Sequence, residues 1–219
     1  MDTPKAPSSG KLPIIAVLVV ALAAGIGLYA GQHYFAPPGL PTMQNSLLYP
    51  APKILPDFKL VADDGRPFTN AELRGRWSLV FIGFTHCPDI CPDTMGRLSQ
   101  ARKAMGELAE IDLPQIVFVS VDPERDSPRL AGDYAQYFEP TARGVSGDHD
   151  ALMPFTRSLG MVYMQTELDE GGYTVDHSAS VAIIDPEGRQ IGLVRPPLDP
   201  QRIASDLRAL AEYRAHSSG

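Results

Sequence analysis

The feature that most constrains this chain is Leu12–Ala30, LPIIAVLVVALAAGIGLYA, an unbroken run with no charged residue. Its length is close to the roughly 20 residues a helix needs to cross a bilayer. In lipid the backbone must satisfy its own hydrogen bonds, so such a run has to be helical. It predicts one transmembrane helix over residues 12–30. Lys5 and Lys11 precede it and the next basic residue is Lys53. The positive-inside bias therefore puts residues 1–11 in the cytoplasm and everything after the span outside. A cleaved signal peptide with a small-residue site at Ala21–Ala23 is the competing reading. The apolar run continues past that site to Tyr29, which favours a retained anchor.

Residues 31–52 carry Pro37, Pro38, Pro41, Pro50 and Pro52. Proline fixes φ and donates no hydrogen bond, so this density excludes a regular helix or a central strand, and the segment reads as a Pro-rich tether. Residues 53–214 then have the length of one globular domain, followed by a short tail at 215–219. With 44% hydrophobic residues the chain can build one good core. The net charge of −7 and the absence of a Lys/Arg cluster argue against a nucleic-acid partner.

Within the domain, Phe58–Val61 and Arg66–Thr69 flank an Asp-Gly turn and predict a β-hairpin. Trp77–Phe84 and Gln115–Val121 are apolar runs of strand length, as expected for strands covered on both faces. Apolar residues at helical spacing predict a helix from Pro92 to Leu108. Ser127-Pro128 supplies a cap and first-turn proline for another, reaching about Phe138. Asp148–Leu159 reads as a helix that Pro154 should kink or split. Ser180–Ile184 and Gln190–Val194 form a closing hairpin around Asp185–Gly188, and Asp199 to about Arg214 is an amphipathic helix. Two parallel strands, antiparallel hairpins and flanking helices are most simply matched by an α/β, thioredoxin-like fold with a mixed central sheet.

The chain has two cysteines, Cys87 and Cys91. An exported domain permits disulfides, but these two would close a very small loop and gain little as a staple. Reactivity is the better reading. They sit at a strand-to-helix junction, in Phe84-Thr-His-Cys-Pro-Asp-Ile-Cys-Pro92, where backbone N–H groups and the helix dipole favour thiolate and should lower the pKa of one or both. Two soft sulfurs plus an imidazole suit copper, as Cu(I) or Cu(II). Of the five histidines, His33 lies by the membrane and His216 near the chain end. His149 reads as a solvated residue at a helix start, and His86 can point away from its neighbour Cys87. His177 lies in the loop before the closing hairpin, and residue patterns leave it open between ligand and ordinary loop histidine. Asp122 and Asp126 read either as turn and cap residues or as acidic groups supporting the site. Met161–Met164 reads as a strand with core residues rather than a methionine copper motif.

Three motifs, Gly83–Pro92, Ser120-Val-Asp-Pro-Glu-Arg-Asp-Ser-Pro128 and Val175-Asp-His-Ser-Ala179, resemble the Sco (SenC) family of copper chaperones, over roughly residues 50 to 212. The resemblance implies a thioredoxin-like domain on one membrane span, with Cys87, Cys91 and His177 as copper ligands. It implies receipt of copper from an upstream donor and delivery to the CuA centre of cytochrome c oxidase subunit II. The expected setting is the bacterial inner membrane, with the domain facing the periplasm. The alternative is a thiol-disulfide oxidoreductase that keeps the CuA cysteines reduced through a redox-active Cys87–Cys91 disulfide. The three-residue spacing, and the absence of a proline just before Ser180–Ile184, weigh against general disulfide exchange.

Overall fold

The computed structural model describes residues 12–34, 41–106, 113–169 and 171–217. The segment 1–11, Pro37 and Pro38 of the expected tether, Leu108 and the last two residues of the tail lie outside the described residues, as do the side chains of His33 and His216. Helix α1, Leu12–Tyr34, has an apolar window from Ile14 to Gly31 long enough to cross a membrane.

Residues 41–212 form a second unit. Its elements in chain order are β1 Ser46–Ile54, β2 Leu60–Ala62, β3 Pro67–Phe68, β4 Ser78–Gly83, α2 Ile90–Ala104, β5 Gln115–Ser120, α3 Pro128–Phe138, β6 Arg143–Ser146, α4 His149–Ser158, β7 Tyr163–Glu167, β8 Tyr173–His177, β9 Val181–Ile184, β10 Arg189–Val194 and α5, which begins at Pro200 and continues to Ser217. Eight strands form one sheet in the order β1-β10-β9-β4-β5-β6-β2-β3, while β7 and β8 make a separate two-stranded ribbon. Strands β4, β5 and β6 run parallel, and β9 lies antiparallel to β4.

The central strands β4 and β5 are buried at every position. Their side chains alternate between two cores, as the period of a strand requires. Leu79, Phe81, Ile116 and Phe118 pack with residues of α2, α3 and α5, whereas Val80, Ile82, Val117 and Val119 pack with α4, β2 and Val175 of β8. The mixed, helix-flanked sheet is the thioredoxin-like arrangement that the element pattern predicts.

Four local expectations change. A third parallel strand, β6, escapes a reading by apolar runs because Arg143-Gly-Val-Ser146 offers a single large apolar residue. Its Gly144 lets α3 lie directly against it, since a Cβ there would fall 2.0 Å from Gly132 N. Strand β1 occupies part of the segment read as tether. It tolerates Pro50 and Pro52 because it lies at the sheet edge and its register with β10 slips between Leu48 and Lys53. Pro154 sits inside a single helix, α4, rather than splitting it. Its ring removes one hydrogen bond near the helix start, and burial of Leu152, Phe155 and Thr156 holds the helix together around it. Finally, Met161 is buried as expected, but β7 starts only at Tyr163, and Val162 and Met164 are about two-thirds exposed. The ribbon has an open outer face, so a strand there need not bury both sides.

Candidate metal centre

Strand β4 delivers the chain to the centre of the sheet, and the turn after Phe84 leads into α2. Cys87 lies in that turn, its N–H donating to the Phe84 carbonyl at 3.3 Å. Cys91 is the second residue of α2, and its N–H donates to Cys87 Sγ at 3.4 Å. Both are free thiols; Cys87 is half-buried and Cys91 is wholly buried. Burial pushes the Cys91 thiol up, aided by the neighbouring Cys87 and only partly opposed by a hydrogen bond from the Phe84 backbone. For Cys91 this reverses the expected lowering: the sulfur is packed beneath the strand, and lost solvation outweighs the helix N-terminus. Gly83 makes the room for it, because a Cβ at that position would lie 2.6 Å from Cys91 Sγ.

His177 ends β8, so it is a strand residue rather than the loop residue expected. Its Nε2 lies 3.3 Å from Cys91 Sγ, and its Nδ1 lies 3.2 Å from the Ser178 carbonyl. A carbonyl only accepts, so Nδ1 carries the proton and Nε2 turns its lone pair toward the sulfur. Phe81 and Phe84 meet the imidazole edge-on at 5.7 and 6.0 Å between centroids. Burial lowers its pKa, which favours the neutral, ligating form. Among the described residues, Cys87, Cys91 and His177 are the one group whose potential ligand atoms all lie within 4.8 Å of one another. Two sulfurs and an imidazole nitrogen form a soft donor set that fits copper.

The acidic residues of the second motif touch none of the three. Asp126 is buried and accepts from Thr85 N–H at 2.7 Å, Thr85 Oγ1 at 2.5 Å and Ser120 Oγ at 2.6 Å, which pins the turn leading to Cys87. The helix cap of α3 is Ser127. Asp122 accepts from Arg125 Nε at 2.5 Å and from the Tyr173 hydroxyl at 2.7 Å. His86 is directed to Thr85 Oγ1 and Asp126, away from the sulfurs. His149 is not simply solvated: its ring bridges Tyr163 Oη and Glu124 Oε1, each at 2.9 Å. Gly83 and Arg125 lie within the first two motifs, but their roles, like that of Tyr173, are not assigned by the sequence. Gly83 offers a local physical signal, a glycine ending an apolar strand, which marks close approach.

Residues 48–212 match the SCO1/SenC family model. The chain belongs to the SCO1/SenC family. It is 39% identical over 130 residues to the mitochondrial SCO1 homolog 1 of Arabidopsis thaliana, a match covering 59% of this chain and 39% of that protein. The solved structure of Arabidopsis thaliana ScoI with copper bound superposes with a TM-score of 0.68 at 34% identity, covering 73% of this chain and 99% of that one. Bradyrhizobium japonicum ScoI with copper bound gives 0.63 at 34% identity, covering 71% and 98%. The family match spans β1 to α5 and so contains all three residues of this SCO1/SenC site.

Proposed function

We propose that this chain is a membrane-anchored copper metallochaperone that holds Cu(I) or Cu(II) on Cys87, Cys91 and His177. It receives copper from an upstream donor and passes it to the CuA centre of cytochrome c oxidase subunit II. The observation that carries this reading is the convergence of those three ligand atoms within 4.8 Å from residues as far apart as 87 and 177. Copper bound to the relatives' structures supports the identity of the metal. The apolar helix α1, with Lys5 and Lys11 before it, supports an N-terminus in the cytoplasm and a domain facing the periplasm.

Equilibrium copper titration tests the reading. His177→Ala should weaken Cu(II) binding at least about tenfold, equivalent to about 1.4 kcal/mol, and change its absorption spectrum. Cys87→Ser or Cys91→Ser should abolish tight Cu(I) binding. A Cu(II) spectrum and affinity unchanged in His177→Ala would remove the imidazole from the ligand set.

A second reading draws on the half-buried Cys87 lying beside the buried Cys91. In it, the Cys87 thiolate attacks a disulfide of the CuA site, and Cys91 resolves the mixed disulfide. Two electrons and two protons pass to the partner, and a Cys87–Cys91 disulfide forms. Turnover of an oxidised CuA domain by copper-free protein, with a thiol reductant to recycle it, would establish this role.

A further inference from the structure

The two halves of the metal site come from elements that no backbone ladder joins. Cys87 and Cys91 follow β4 of the main sheet, while His177 ends β8, whose ladder partner is β7 alone. Buried Val175 attaches the ribbon to the core, but apolar contact is non-directional and does not fix where along its length a strand stops. Past His177 the Ser178 N–H donates to the Val162 carbonyl, and three residues lead into Val181 of β9, which pairs with Phe81 of β4. At the far end of β8 a second directional contact sets how the strand, and with it the imidazole, meets the sulfurs.

Arg125 makes that contact. Its Nε donates to buried Asp122 and its Nη1 donates to the Tyr173 carbonyl at 3.1 Å, at the opposite end of β8 from His177. Its guanidinium carbon lies 3.9 Å from the centre of the Tyr173 ring, and the Tyr173 hydroxyl closes the loop by donating to Asp122. On its other side the same group lies 5.5 Å from the centre of the Phe84 ring. Phe84 in turn meets His177 edge-on and accepts the Cys87 N–H. One planar cation thus touches the strand that carries the imidazole and the residue that begins the cysteine turn. Its Nη2 is buried without a hydrogen-bond partner, an arrangement that stability alone does not favour.

We infer that Arg125 is the positioning residue for His177: it clamps β8, through Tyr173, to Asp122 and Phe84, and so sets the distance between the imidazole and the two sulfurs. The inference rests on His177 being a copper ligand and assigns a role to a residue that touches neither metal nor ligand. Lysine cannot replace it, because an ammonium lacks the planar fork that bonds and stacks at once.

The test uses the purified full chain in detergent, titrated with Cu(II) and read by charge-transfer absorption and electron paramagnetic resonance, and separately with Cu(I) against a chromophoric chelator. Arg125→Met and Arg125→Lys should each weaken Cu(II) binding by about tenfold, the low end of what losing a direct partner of a ligand costs, because Arg125 acts on His177 only through Tyr173 and Phe84. Their spectra should move toward that of His177→Ala, while Cu(I) affinity falls by clearly less, because the softer ion draws mainly on the two sulfurs that these variants leave in place. Tyr173→Phe, which deletes one hydroxyl, should move the spectrum the same way by less, and it decides the matter if the arginine variants do not fold. Wild-type Cu(II) behaviour in the folded variants, alongside an altered His177→Ala, overturns the positioning role alone. Equal losses of Cu(I) and Cu(II) affinity also overturn it, since they indicate general damage. An unaltered His177→Ala overturns the ligand assignment and this inference with it.

Discussion

Gly83 is where β4 stops, and a methyl group there would fall 2.6 Å from Cys91 Sγ and 3.0 Å from Phe118 Cε2. Both neighbours are fully buried, so neither can swing into solvent to make room. Gly83→Ala should destabilise the domain by about 1–3 kcal/mol, the range for overpacking, and weaken copper binding by displacing one sulfur. Chemical denaturation and copper titration of the same sample would separate the two effects. Tyr173 offers a pH-dependent readout of the clamp. Lost solvation, then the hydrogen bond and charge of Asp122, push its phenol from 10 up to about 12. The folded chain therefore holds this proton more tightly than the unfolded chain. The associated stability is complete below about pH 10 and is lost as pH rises from there to about 12. Carbon NMR of labelled tyrosine should show a resonance titrating near about 12 that is absent in Tyr173→Phe and titrates lower in Asp122→Asn.

At the scale of elements, α4 carries a proline that its sequence environment does not require. Pro154 lies in the sixth position of the helix, where it removes the amide that would pair with the Asp150 carbonyl. An interior proline is about 3 kcal/mol less favourable than alanine, offset by up to about 1 kcal/mol because proline also restricts the unfolded chain. Pro154→Ala should therefore stabilise the domain by about 2–3 kcal/mol, measured as a raised denaturation midpoint with unchanged slope. The contrast with β6 and α3 is instructive. Gly144 and Gly132 approach backbone to backbone, and that contact allows no side chain at all.

At the scale of the molecule, the folded unit begins earlier than the prolines suggest. The N–H groups of Gln44, Asn45 and Ser46 all donate to the carboxylate of Asp206 in α5, at 2.7, 2.9 and 2.8 Å. Asp206 is buried. A fragment starting at Pro50 leaves that carboxylate without its three amide donors, and a hydrogen bond to a charged group contributes about 1.5–3 kcal/mol. A fragment starting at Pro41 keeps them. Parallel unfolding curves of the two fragments should differ by about that amount, and coincident curves would show that residues 41–49 contribute nothing to the domain.

The sequence by itself determined the apolar span, the two-sided central strands, the caps of α3 and the reactive pair Cys87 and Cys91, because each is a local pattern whose physics acts within a few residues. Periodicity and turn chemistry were enough for most of the fold. What only the tertiary structure decided lies between distant segments. The reach of His177 to Cys91, the space at Gly83, the Arg125 clamp and the docking of residues 44–46 on Asp206 each depend on where separate elements meet. The same holds for the acidity of Cys91: a helix N-terminus argues for a thiolate, but burial under the sheet sets the balance, and burial is a property of the assembled fold.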